Sequence, residues 1–188
     1  MTGGLPPLRA LRHPQPVLEH LPLPWRRGCG SGPLEGRFAP DAALFHDGGA
    51  AAEIRLEARA DGLELSARRF GGSYVSLAID LPAEMAADLG PAHNLRLRLA
   101  LAAGNTPLPG GGYLRLTIEE NGTPWQMTVP LALAAGARVT PLGPGPAAPT
   151  PVPGLFRRGW IDLVFTGMAG RGVRIPHLSL CRAPAPHP

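Results

Sequence analysis

Alternation of apolar and polar residues with a period of two predicts an all-β fold, an antiparallel β-sandwich with one short helix and a Pro-rich N-terminal arm. Three observations carry this reading. Glu53 to Arg59 and Leu95 to Leu101 each set apolar side chains on one face and mostly charged ones on the other, as strands wetted on one side do. Asn121-Gly122 is the pair a type I′ hairpin turn demands, because both central positions take positive φ. The 188 residues have room for one domain, whose body of about 150 residues can bury roughly 70% of the surface its unfolded form exposes.

In chain order, residues 1–32 are rich in Pro and Gly and lack periodicity, so they read as an arm, packed locally through Leu21, Leu23 and Trp25. The body runs over 33–182. It opens with Phe38 and Leu44-Phe45 around Pro40-Asp41, followed by a His46 to Gly49 turn. Asp61-Gly62 is a two-residue turn signal joining Ile54 to Ala58 with Leu63 to Ala67. Tyr74 to Leu81 places Val75, Leu77, Ile79 and Leu81 on one side, and Pro82 to Gly90 reads as one or two helical turns with Gly90 as the αL cap. Leu95 to Leu101 is a strand, Gly104 to Gly112 a loop, and Tyr113 to Glu119 and Trp125 to Leu131 form a tight hairpin with Pro130 at an edge or strand end. Ala134 to Leu155, interrupted by repeated prolines, reads as an irregular excursion. Trp160 to Phe165 and Val173 to Leu180 close the sheet, with a disturbance at Pro176, and 183–188 form a disordered tail.

Composition narrows the function classes. Every cationic side chain is Arg, and with so few titrating groups above neutrality a net charge of only +4 gives a sequence pI near 10.0. That charge supports mild attraction to anions and no nucleic-acid partner. Cys29 and Cys181 lie far apart and read as two unrelated thiols. Pro14, Pro16, Pro22 and Pro24 break any signal-peptide h-region, and no apolar run is long enough to span a membrane. A cytoplasmic location is the resulting expectation.

The strand and short helix at Tyr74 to Gly90, the amphipathic strand at Leu95 to Leu101, and the closing pair Ile161 to Phe165 and Val173 to Leu180 together resemble galactose-binding-like jelly rolls. The likeness covers Leu34 to Arg182 and is one of pattern. It implies glycan binding as the first class to test, through aromatic platforms and polar side chains, although the chain holds only five Phe, three Trp and two Tyr. Tyr74 to Leu77 and Gly159 to Phe165 are also similar to an uncharacterised bacterial family of unknown function, which implies no activity.

Tyr113 starts one strand of the tight hairpin and Trp125 lies on the other, so alternation brings them onto neighbouring parts of one sheet, where an exposed pair stacks on a sugar ring. The alternative is that either ring packs the core. Trp160 begins a strongly apolar strand and reads as buried. Arg96, Arg98 and Arg115 fall between apolar residues; if their strands are neighbours, their forks converge on a carboxylate or phosphate of an acidic glycan, and otherwise they form a solvated face paired with acids such as Glu119. His46-Asp47 and His93-Asn94 with Ser73 or Ser76 make a Ser/His/Asp set only on paper, without a nucleophile elbow. The six His and two Cys lack paired-ligand spacing, so no metal or other cofactor is expected. Asp41 and Asp47 suit a structural Ca²⁺, yet turn chemistry explains both. Gly110 to Gly112 lacks the Lys of a phosphate loop.

The resulting expectation is a non-catalytic module binding a glycan or other extended polar ligand through Tyr113, Trp125, Arg96, Arg98 and Arg115. The alternative is a structural or assembly protein docking on a protein partner through its Pro-rich segments. A hydrolase using His46 as base comes third.

Overall fold

The computed structural model describes residues 15–18, 25, 29–32, 34–91, 93–145 and 147–184. Leu21, Leu23, Arg26, Arg27 and the tail residues 185–188 lie outside them. Among the described residues, thirteen strands form two antiparallel sheets. Sheet I contains β1 (Gln15–Leu18), β2 (Gly30–Gly32), β5 (Ile54–Arg59), β6 (Gly62–Ala67), β8 (His93–Ala102), β11 (Gly136–Leu142) and β13 (Arg171–Pro184), in the order β11-β8-β13-β6-β5-β2 with β1 also on β13. Sheet II contains β3 (Gly36–Ala39), β4 (Ala42–His46), β7 (Tyr74–Asp80), β9 (Gly111–Glu120), β10 (Thr123–Pro130) and β12 (Arg157–Thr166), in the order β10-β9-β12-β7-β4-β3. This is the sandwich that the alternation predicts.

The apolar phase of each strand fills the space between the sheets. Leu95, Leu97, Leu99 and Leu101 of β8, Leu114, Leu116 and Ile118 of β9, and Ile161, Leu163 and Phe165 of β12 are all buried. Each fully buried side chain of this size contributes roughly 1.5–3 kcal/mol relative to exposure, which is why the phase of alternation cannot slip by one residue. Segment 1–32 contributes to the body as well. Within it β1 pairs with β13 and β2 with β5, and Trp25 is fully buried in the core, its indole N–H donating to Asp41 Oδ1 at 2.6 Å.

Turns follow their residues with small displacements. Asn121 (φ 47°) and Gly122 (φ 82°) make the predicted turn between paired Glu120 and Thr123. Arg59 pairs with Gly62, so the β5–β6 loop is Ala60-Asp61, one residue earlier than expected. Gly62 instead opens β6, with φ 145° and so little room that an added Cβ would sit 2.1 Å from the Ile175 carbonyl oxygen. The helix α1 (Ala83–Asp88) buries Met85 and Ala86 and packs on β12. Its end corrects the expectation for Gly90. The chain leaves the helix at Leu89 in extended backbone (φ −66°, ψ 119°), and Gly90 is needed because a Cβ there would lie 2.7 Å from Pro151 Cδ.

The 134–155 excursion also needs correcting, because Gly136–Leu142 forms β11 and pairs with β8 along its whole length. Its residues are mostly exposed, so no apolar alternation announces it, and Pro141 is tolerated because an edge strand needs only one hydrogen-bonding side. Strand β13 continues through Pro184, two residues past the expected end of the body. Pro176 interrupts β13 as expected, with a register shift between Arg174 and His177. Among the described residues no helix is long and apolar enough to cross a membrane.

Candidate functional site on the outer face of sheet II

Register and alternation decide which side chains share the outer face of sheet II. Because Leu114, Leu116, Ile118, Ile161, Leu163 and Phe165 point inward, their sequence neighbours point outward. One row across the strands reads Tyr113, Val164, Ser76, Phe45; the next Thr128, Arg115, Asp162, Ala78, Ala43, Arg37; a third Gln126, Thr117, Trp160, Asp80; and a fourth Pro124, Glu119, Arg158. The small residues Ala43 and Ala78 form a low floor between large neighbours. Over it lies a cleft of about 420 Å³, lined among others by Phe45, Phe156, Trp160, Arg37, Asp80 and Arg158.

The cleft walls are part aromatic and part ionic. Phe45 is 42% exposed and Phe156 69%, while Trp160 is half-buried with the Arg158 guanidinium 5.4 Å from its ring centre, within cation–π range. Arg158 also makes two bonds to Glu119, at 3.1 and 2.9 Å, and that carboxylate pushes the guanidinium pKa further up. Arg37 donates to Asp80 at 2.6 Å and to the Pro40 carbonyl at 2.7 Å. In the middle of the face, Asp162 is buried and accepts from Arg115 at 2.9 Å and from Ser76 at 3.2 Å. At one end, buried Arg157 stands opposite Glu120 in register and donates to the Pro149 carbonyl at 2.8 Å. Burial pushes its guanidinium pKa down, against the Glu120 carboxylate.

The residues singled out from sequence divide between different faces. Tyr113 and Arg115 lie on the outer face of sheet II. Trp125 is on the same sheet but on its other face, because it pairs with core residue Ile118 and packs on the core; the stacked Tyr113–Trp125 pair therefore does not form. Arg96 and Arg98 are exposed on β8 in sheet I, between β11 and β13. They face away from Arg115 across the whole sandwich, and the three forks do not converge. Trp160, expected to be buried, is instead on the outward phase of β12. Asp162, two residues on, shares that phase and is the signal available in sequence. Phe45, Phe156, Arg37 and Asp80 carry no such signal, since separate segments bring them together.

The remaining candidates are engaged in local structure. Asp47 accepts from the Ser73 hydroxyl, from Ser73 N at 2.7 Å and from Tyr74 N at 3.1 Å. The Ser73 hydroxyl first, then the Tyr74 N–H, hold its carboxyl below the usual range. His46 Nδ1 accepts from Gly48 N at 3.2 Å, so serine, histidine and aspartate do not line up as a relay. Ser76 donates to Asp162. His93 Nδ1 accepts from Gly90 N at 3.3 Å, and burial lowers its pKa. Cys29 and Cys181 are free thiols. Asp41 takes the Trp25 indole N–H. Among the described residues no group of three or more His, Cys, Asp or Glu is placed to hold a metal ion.

Residues 15–140 match the model of a family described as a family of unknown function, DUF6478, more than half of the chain. The protein belongs to this family. No curated protein matches it in sequence. Among solved structures it is similar to the enzymatically active domain of tailspike protein 4 of bacteriophage CBA120, at 11% identity and TM-score 0.47 over 78% of the chain, which spans only 20% of that protein. It is also similar to the CBM22-1 xylan-binding domain of Paenibacillus barcinonensis Xyn10C, at 10% identity and TM-score 0.45 over 94% of this chain and 99% of that one. A third is the family 11 carbohydrate-binding module of Clostridium thermocellum, in complex with a β-1,3-1,4-mixed-linked tetrasaccharide, at 13% identity and TM-score 0.41 over 76% and 89% of the two chains. Likeness at this distance carries no argument about function.

Proposed function

We propose that this member of the family is a non-catalytic module that binds a glycan, or a similarly extended polar ligand, on the outer face of sheet II. The observation that carries the reading is the cleft, with its alanine floor, three exposed or half-buried aromatic rings and paired Arg–carboxylate groups. A sugar ring offers apolar C–H groups on its faces and hydroxyls around its rim. The rings of Phe45, Phe156 and Trp160 suit the faces, and the unused donors and acceptors of Arg37, Asp80 and Arg158 suit the rim. Of the cleft-lining side chains only Asp80 is a carboxylate, whereas glycoside hydrolysis needs two flanking the scissile bond.

Affinity electrophoresis through polysaccharide gels tests the reading. At least one polymer should retard the protein, and Trp160→Ala should weaken that retardation about tenfold or more with an unchanged urea midpoint. Free migration through every polymer would overturn it. The assembly reading draws on one observation, the exposed Val152, Leu155 and Phe156 in the irregular 147–156 stretch. Light scattering of a Val152→Asp, Leu155→Asp variant addresses it, since a docking surface loses its complex when both positions are charged.

A further inference from the structure

We infer that the ligand of this cleft is an uncharged, extended saccharide chain, an inference that rests on the glycan reading above. Alternation puts six acidic or basic side chains on the outer face of sheet II, namely Arg37, Arg115, Arg158, Asp80, Asp162 and Glu119. They form three pairs, with nearest N–O distances of 2.6 Å for Arg37–Asp80, 2.9 Å for Arg115–Asp162 and 2.9 Å for Arg158–Glu119. The face is formally neutral, on a chain whose net charge is +4.

A receptor for a uronate or sulfate presents guanidinium forks open to the ligand. Here each fork on the face already meets a carboxylate of its own sheet, so an incoming anion would have to displace that carboxylate and remain beside it. A hydroxyl meets no such conflict. It accepts from an N–H the pair leaves over and donates to a remaining carboxylate lone pair. Arg157, the other basic residue at the cleft, offers no solvent-facing fork: its Nε and Nη1 are buried without a hydrogen-bond partner, its Nη2 is on the Pro149 carbonyl, and Glu120 stands opposite it in register.

Length follows from register. Phe45 pairs with Ser76, which pairs with Val164, and Trp160 lies four residues before Val164 on β12. Their Cα positions are therefore about 10 Å apart across the sheet and about 13 Å apart along it. A ligand that reaches from one position to the other spans several linked units, lying diagonally over Ala43 and Ala78.

The test uses the full chain with galactomannan and hydroxyethylcellulose as neutral polymers, alginate and polygalacturonate as acidic ones, and manno-oligosaccharides and cello-oligosaccharides of one to six units. Salt is varied from about 10 mM to about 1 M, which shortens the screening length from about 30 Å to about 3 Å. A neutral polymer should be bound with an affinity that changes less than about twofold over that range, and affinity should rise about tenfold or more from monosaccharide to tetrasaccharide. Glu119→Gln, which removes the carboxylate charge that offsets the Arg158 guanidinium, should gain salt-sensitive binding to polygalacturonate. Preferential binding of an acidic polymer by the unaltered protein, weakening more than about tenfold with salt, would overturn the inference and leave the glycan reading standing. Equal affinity for one unit and for four would overturn the extended mode alone. Binding to none of the probes would remove both the inference and the reading beneath it.

Discussion

The two outer faces of the sandwich are built from the same alternating strands and have opposite characters. Sheet I turns outward Arg55, Glu57, Arg59, Glu64, Arg96, Arg98 and Arg174, a formal excess of three positive charges. Arg96 and Arg98 have no acidic partner among the described residues. Its strands carry no Phe, Trp or Tyr. Sheet II has a neutral outer face with Phe45, Tyr113 and Trp160 upon it. A ring-lined groove can therefore form on one side only, while the other side is a solvated, mildly basic surface.

The largest expected effect separates a buried pair from exposed ones. Asp162→Ala removes the acceptor of Arg115 and Ser76 from a buried position and should cost about 2–4 kcal/mol in urea unfolding, discounted because the Arg115 side chain is 34% exposed. An unaltered midpoint would mean that this pair is as weak as a surface one. Next in size is the contrast between two tryptophans. Trp125→Ala removes a ring that packs on the core, so it should destabilise by about 2–3 kcal/mol and change glycan affinity little. Trp160→Ala should do the reverse, and matching behaviour of the two variants would break the assignment of faces.

Sheet I provides the control. Arg96→Ala with Arg98→Ala should move stability by less than about 0.5 kcal/mol and leave binding of a neutral polymer unchanged; abolished binding would move the site to the other side of the sandwich. The smallest effect is a pH dependence where Asp47, just past β4, meets Ser73, just before β7. The carboxyl of Asp47 titrates lower folded than unfolded, so its stabilisation is present above the unfolded carboxyl range and is lost as pH falls through the folded value. Ser73→Ala, by removing the first cause of that shift, should flatten the fall in melting temperature on the acid side. An identical acid limb in the variant would show that this contact does not contribute.

Much of the architecture is legible in the sequence because each cue is local. The phase of Leu95 to Leu101 names the buried side of β8 without reference to any other strand, and Asn121-Gly122 encodes its own turn. Strand β11 escapes such reading because an edge strand exposed on both sides has no phase to display. Gly90 looks like a helix cap from sequence, yet its constraint comes from Pro151, some sixty residues away, and not from its own φ. Among site residues, Trp160 shares its phase with Asp162, a cue outweighed by the apolar run around both. Phe45 and Arg37 become site residues only through strands that lie beside theirs.

Sequence by itself settled which side chains turn inward on strands with a Leu or Ile row, such as β5, β8 and β9, since burial of such a row tolerates no slip by one residue. It also settled the tight β9–β10 hairpin. Only tertiary structure decided that β9 lies between β10 and β12 while β8 lies between β11 and β13, and hence that Arg115 and Arg96 point away from each other. The reason is that alternation distinguishes inside from outside along one chain segment, whereas a sandwich has two outsides, and long-range strand pairing selects between them.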